Sequence, residues 1–216
     1  MGNRAVITDK DKRIGIYLHW NGGRDSVEAF LKYCELKGYR APSWDNYGWA
    51  RLCQVIGNYF GGSTSIGIDT YDHLDTDNGD NGVYIIEGWE IVGRLYAHGE
   101  QMNYDLDEML RDIDQAQPKD EQLGAYLDAI EVPTSAVQVG DVVYFDSIRG
   151  NPEPHEIVGI ATEGFHTGPY AAIYDHDGDW TWNPNNFVHG ETCRIIPRKT
   201  LEELEHGIEE ILPLFV

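Results

Sequence analysis

Five aspartates, Asp69, Asp72, Asp75, Asp77 and Asp80, crowd a short stretch of chain rich in Asn and Gly. Carboxylates so placed can supply hard oxygen ligands to a cation, or present a run of negative charge to a basic partner. A calcium loop of the EF-hand type needs ligands at positions 1, 3 and 5, Gly at 6 and Glu at 12. Counted from Asp75, position 5 is Gly79, position 6 is Asp80 and position 12 is Ile86, so the pattern fails. A later alternating set, Asp175, Asp177 and Asp179, puts Trp180 where the glycine belongs and Asn186 where the glutamate belongs. Adventitious cation binding is all that either loop offers, and no cofactor is expected.

A second acidic set, Asp105, Glu108 and Asp112, sits at offsets of three and four, which stack side chains on one face of a helix. At a rise of about 1.5 Å per residue they lie roughly 4.5 to 6 Å apart along the axis. Successive phosphates of a nucleic-acid strand advance by a comparable ~3.4 Å. Acids near a helix start also complement its macrodipole, and an acidic face keeps a helix soluble. What favours a use beyond solubility is the near absence of compensating bases, because like charges at these offsets cost a few tenths of a kcal/mol, roughly, per pair.

The whole chain repeats this imbalance: 37 acids against 16 bases give a net charge of -21 over 216 residues. Residues 1 to 68 are slightly basic, whereas residues 69 to 131 hold 17 acids and 3 bases. Direct binding of nucleic acid over a broad face is excluded, since it needs clustered Lys and Arg to displace counterions. An anionic membrane surface would also repel the chain. With 41% apolar residues the protein is folded despite the charge.

Other constellations carry less. His155, Glu156 and His166 form the best candidate metal cluster, the basis of an alternative reading as a small metal-dependent enzyme or ligand-binding domain, but no HExxH spacing exists. Cys34 and Cys53 fall at core-type positions of expected helices, which argues for buried thiols rather than nucleophiles. Asn21-Gly22-Gly23-Arg24, between a strand and a helix, could hold an anion on backbone amides, though a tight turn and cap explain it as well. Tyr174, Trp180, Trp182 and Phe187 could form a stacking platform, but Asp175, Asp177 and Asp179 beside them would repel a phosphate chain. No catalytic residue is assigned.

Arg4–Thr8 and Ile14–Trp20 read as a hairpin across a charged turn. Asp25 or Ser26 can cap a helix to about Leu36 with Val27, Phe30, Leu31 and Cys34 inward, and Pro42, Ser43 and Asp45 open another through Trp49, Leu52, Cys53, Ile56 and Phe60. Thr64–Tyr71, Val83–Glu87 and Trp89–Leu95 are strand-like, a helix runs from Asn103 or Asp105 to about Ala116, and a shorter one spans Glu121–Ile130. Beyond Pro133 come short strands, among them Val142–Phe145, Glu156–Ala161, Ala171–Tyr174, Trp180–Trp182 and Arg194–Ile196, then an acidic helix Leu201–Leu212. The expected class is α+β: a helix-rich domain over 1–132 with a small antiparallel sheet, then a strand-rich, small barrel-like domain over 133–216 with a C-terminal helix. There is no signal-peptide core and no apolar run near 18 residues, so a cytoplasmic protein is expected.

Val139–Phe145 with His155 and Gly159-Ile160 is similar to the central strands of NlpC/P60 cysteine peptidases. Those enzymes need a nucleophilic Cys at a helix start ahead of these strands, and no Cys lies between Cys53 and Cys193, so the activity does not carry over. The stretches Arg4–Thr8 and Ile16–Phe30, continuing to Glu87-Gly88-Trp89-Glu90, resemble uncharacterised proteins carried by phages and conjugative elements of gut bacteria. That resemblance implies a host-defence setting, in which acidic proteins imitate DNA to block restriction or CRISPR nucleases. The expectation is a non-catalytic inhibitor whose partner is a basic nucleic-acid-binding protein such as a defence nuclease. Its contacts would be Asp69, Asp72, Asp75, Asp77, Asp80, Asp105, Glu108 and Asp112, with Trp89 and Tyr104 as hydrophobic anchors. An oligomeric scaffold kept soluble by its acidity is a third class.

Overall fold

A computed structural model of the chain describes residues 2–42, 46–63, 65–145, 153–161, 164–167, 170–173 and 192–198. Two compact units result, Met1–Gly124 and Ala125–Val216.

In the first unit, strands β1 (Ala5–Asp9) and β2 (Ile14–Leu18) form the expected hairpin, with Ile7 opposite Ile16 and Ala5 opposite Leu18. Its turn closes where the Lys12 amide donates to the Asp9 carbonyl at 3.2 Å and to Asp9 Oδ1 at 3.0 Å. Strand β3 (Ile66–Thr70) lies outside β2, while β4 (Val83–Glu87) and β5 (Glu90–Leu95) make a second hairpin over Gly88. The order is β3-β2-β1-β4-β5.

The sheet corrects one expectation, because it is mixed rather than antiparallel: β1 and β4 run parallel, Val6 beside Val83. All five residues of β1 are buried, which suits a central strand covered on both faces. Strand alternation puts Ala5, Ile7, Ile16, Leu18, Tyr84 and Ile86 on one face, each at most 1% exposed. The opposite face carries Val6, Thr8, Gly15 and Val83 and is covered by Leu74, from the segment after β3. Gly15 is required there, since a Cβ would stand 2.7 Å from Leu74 Cδ1.

Helices α1 (Arg24–Leu36), α2 (Asn46–Tyr59) and α3 (Leu106–Gln115) complete the described part of this unit, with α1 packing against both others. α1 buries Val27, Phe30, Leu31 and Cys34 as their spacing predicts. Its N-cap is Gly23 without a side-chain cap, and the Asp25 carboxylate accepts the Ser26 amide one position inside. α2 buries Trp49, Leu52, Val55 and Ile56. Next to the buried stripe of α3 the Asp114 carboxylate accepts the amides of Leu123, at 2.6 Å, and Gly124, at 3.0 Å.

That bond explains a second correction. The helix expected over 121–130 is only a 3-10 turn, Gly124–Asp128. The backbone there is already engaged: Asp114 takes two amides, and the Glu121 carbonyl accepts the Tyr33 hydroxyl at 2.6 Å and the Lys37 ammonium at 2.7 Å. Gly124 then turns left-handed at φ 54°.

In the second unit, β6 (Ile130–Pro133), β7 (Val142–Phe145), β8 (Glu153–Ala161), β9 (Gly164–Thr167), β10 (Tyr170–Ile173) and β11 (Thr192–Ile196) form one sheet in the order β10-β9-β8-β7-β11-β6. Every neighbour is antiparallel. Pro133, the boundary expected from sequence, lies inside this sheet because β6 pairs with β11. The described strands do not close into a barrel: β10 and β6 are opposite edges. Val137, Val143, Ile157, Cys193 and Ile195 make its core, with Val132 packed against them. Buried Asp141 ties the ends together, accepting the amides of Gln138 at 2.7 Å and Arg198 at 2.9 Å. Trp180–Trp182, the Asp175–Asp179 loop, Phe187 and the helix expected over Leu201–Leu212 lie outside the described residues.

Candidate functional site

The acids singled out in the sequence fall into two groups that the fold treats differently. Asp69 lies near the end of β3, and Asp72, Asp75, Asp77 and Asp80 belong to the segment that follows it across the Leu74-covered face of the sheet. α3, with Asp105, Glu108 and Asp112, packs instead on α1.

In the first group most carboxylates have partners. Arg4, at the entrance to β1, clamps the segment: its Nε donates to Asp80 Oδ2 at 2.7 Å, its amide to the same oxygen at 3.2 Å, and its Nη1 lies 3.8 Å from Asp75 Oδ2. The Arg4 hydrogen bond holds the Asp80 carboxyl below the usual carboxylate range. Asn78 is buried beneath the same turn and accepts the amides of Asp80 and Gly82 on its side-chain oxygen. Gly82 must be glycine, since at φ 61° a Cβ would overlap the carbonyls of Leu95 and Tyr96. Asp69 accepts the Thr70 amide at 2.7 Å and faces His73 at 3.4 Å, contacts that hold its carboxyl low. Asp77 lies 3.4 Å from His98.

α3 is otherwise. Asp105 is its N-cap, accepting the Glu108 amide at 2.9 Å. Glu108 and Asp112 are exposed, as is Asp107, and none of the three carboxylates has a cationic partner among the described residues. Asp107 was missed in the sequence because it sits one position off the three- and four-residue stripe; the exposed arc of the helix is wider than that stripe. Leu110 and Ile113 are buried on the other side, and Met109 Sδ receives the hydroxyls of Ser26 at 3.9 Å and Tyr59 at 3.8 Å. The ridge is thus fastened to the core.

Its entrance is fastened by a set of ion pairs, two local in sequence and one that spans 76 residues. Arg94 donates to both oxygens of Glu100, at 2.9 and 2.7 Å, and lies 3.5 Å from the Tyr84 ring centroid. Arg24 bridges Glu100 at 3.1 Å and Glu28 at 3.1 Å. Tyr104 then donates to Glu28 at 2.6 Å, a bond that raises its phenol's pKa, so its polar tip is engaged within the fold. Trp89 is likewise partly buried, its indole N–H on the Tyr39 carbonyl at 2.9 Å. Large apolar side chains open to solvent lie elsewhere, Met102 just ahead of α3 being 77% exposed.

The remaining candidates separate. Burial pushes the Cys53 thiol up to about 11 and the Cys34 thiol further, so both stay protonated at neutral pH. His155 pairs in register with Val143, the adjoining Glu156 with Val142, and His166 with Gly159 on the next strand. Among the described residues, no group of three His, Cys, Asp or Glu is placed to hold a metal ion. No described helix is long and apolar enough to cross a membrane. No family model, curated protein or solved structure matches the chain.

Proposed function

We propose that the protein is a non-catalytic binding protein that imitates the charge of DNA and engages the basic nucleic-acid groove of a partner such as a restriction or CRISPR effector nuclease. The observation that carries this reading is α3: three exposed carboxylates without cationic partners among the described residues, on a helix whose other side is locked into the core. Like charges so close destabilise the folded chain, and an opposing basic surface removes that cost. Asp72, Asp75 and Asp77 provide a second, partly neutralised set of contacts. The resemblance of Arg4–Thr8 and Ile16–Phe30 to proteins of mobile elements supports the host-defence setting.

Association of this kind is fast and sensitive to salt. The test is capture of nucleic-acid-binding proteins on the immobilised chain at low and high salt, with elution by duplex DNA. The triple variant Asp107→Asn, Glu108→Gln, Asp112→Asn should lose about 100-fold in affinity at low salt, on the order of 1 kcal/mol per charge. Capture that survives this variant, or that DNA does not displace, overturns the proposal.

A further inference from the structure

At the carboxyl ends of the two parallel strands, β1 and β4, the first unit has a cavity of about 200 Å³ lined by Asp9, Lys10, Asp11, Pro42, Ile86, Glu87 and Gly88. Adjacent parallel strands leave a crevice beyond their carboxyl ends, a common place for ligands. Three carboxylates line this one, and two of them are neutralised. Lys10 donates to Glu87 Oε2 at 2.6 Å, and Arg13 to Asp11 Oδ2 at 3.0 Å. The third cation of the turn, Lys12, is turned away, its ammonium 5.7 Å from the Tyr71 ring centroid.

That leaves Asp9, the most buried of the three at 8% exposure, with no cation among the described residues. Its Oδ1 accepts the Lys12 amide; its Oδ2 has no hydrogen bond among the described residues. Asp9 lines the cavity, and a carboxylate oxygen there with no donor among the described residues can take a cation. The neighbouring walls, Pro42 and Ile86, are apolar.

We infer that this cavity is a binding site for a primary alkylammonium group, its charge on Asp9 Oδ2 and its methylenes against Pro42 and Ile86. One available oxygen suits the point charge of an ammonium better than the two-pronged guanidinium, which takes both oxygens of a carboxylate. The volume, below the ~300 Å³ of drug-sized pockets, suits a single aliphatic chain. The ligand is therefore a free alkylamine or the lysine side chain of a partner protein. This site lies apart from α3 and stands independently of the DNA-mimic reading.

The test is titration of the full chain with n-butylamine at pH 7, followed by amide shifts, beside n-butanol and a short lysine-containing peptide. Butylammonium should shift the amides of Lys12, Ile86 and Gly88, and butanol should not. Asp9→Asn keeps an oxygen for the Lys12 amide but removes the charge, and should weaken butylammonium about tenfold or more. Lys10→Gln frees Glu87 and should tighten it by a few-fold, roughly, which gives a readout even if Asp9→Asn fails to fold. A peptide far tighter than the amine assigns the site to a partner's lysine; equal affinities assign it to a small alkylamine. No localised shift in the wild type, equal binding of butanol, or binding undiminished in a folded Asp9→Asn protein overturns the inference.

Discussion

The segment after β3 and helix α3 are both acidic, yet the first pairs several of its carboxylates with side chains elsewhere in the fold and the second leaves most of its own unpaired at the surface. Along the segment, Arg4 holds Asp80 and Asp75, His73 faces Asp69 and His98 faces Asp77. On α3, Asp105 serves as a cap, but Asp107, Glu108 and Asp112 stand in solvent without cationic partners among the described residues. Net charge by segment cannot tell these apart. What separates them is the distance along the chain from which counter-charges arrive: Arg4 and Asp80 meet only because β1 is the central strand and the segment lies across it.

The two regions should differ most in partner binding. Neutralising Asp72, Asp75 and Asp77 to Asn should cost only a few-fold, roughly, in partner affinity, against the hundredfold loss expected for the α3 triple variant. Parity between the two, in binding measured at low salt, would erase the distinction. A smaller effect should appear where an acid of the same block is committed to folding. Lys37, with a side chain 2% exposed, sits 2.9 Å from Glu121 Oε2, and this hydrogen bond holds the Glu121 carboxyl below its ordinary 4.5. The stability it adds is therefore present above that ordinary value and is lost as pH falls through the lowered folded one. Glu121→Gln should cost about 1–2 kcal/mol at pH 7, discounted because the carboxylate is itself a third exposed. Thermal melts of the two proteins should begin to approach each other as pH falls below about 4.5 and coincide only below the lowered folded value. The smallest effect is local. Arg4→Gln should speed amide exchange at Asn81, which donates to the Arg4 carbonyl, by about tenfold while the helices keep their protection.

Much of the first unit was legible because its signals are short-range. The β1–β2 hairpin follows from alternation of Ile14, Ile16 and Leu18 about a charged turn, and α1 from Val27, Phe30, Leu31 and Cys34 at helical spacing. The parallel pairing of β1 with β4 was not, since strand periodicity says which face is apolar and nothing about a partner more than 70 residues away. The helix expected over 121–130 had a local pattern in its favour and lost to tertiary bonds from Asp114, Tyr33 and Lys37. At the candidate surface, the stripe Asp105, Glu108 and Asp112 was visible from spacing alone. Arg4 and Arg24 were not, because their bonds to Asp80 and Glu100 each cross 76 residues, and Arg94 was not, because its bond to Glu100 closes an irregular loop with no periodic pattern.

The position of β1 also orders events during synthesis. Its first neighbour, β2, follows within a few residues, so the hairpin can close in microseconds. Its second, β4, is complete only when Glu87 has been made, and until then the other edge of the most buried strand stands open with unpaired amides. At roughly 5–20 residues per second that wait lasts several seconds, far longer than hairpin closure itself. A nascent chain in this state is sticky, and the polar, strongly charged segment before β4 also serves as a gatekeeper, keeping an open apolar edge from finding another copy of itself before its own partner strand arrives.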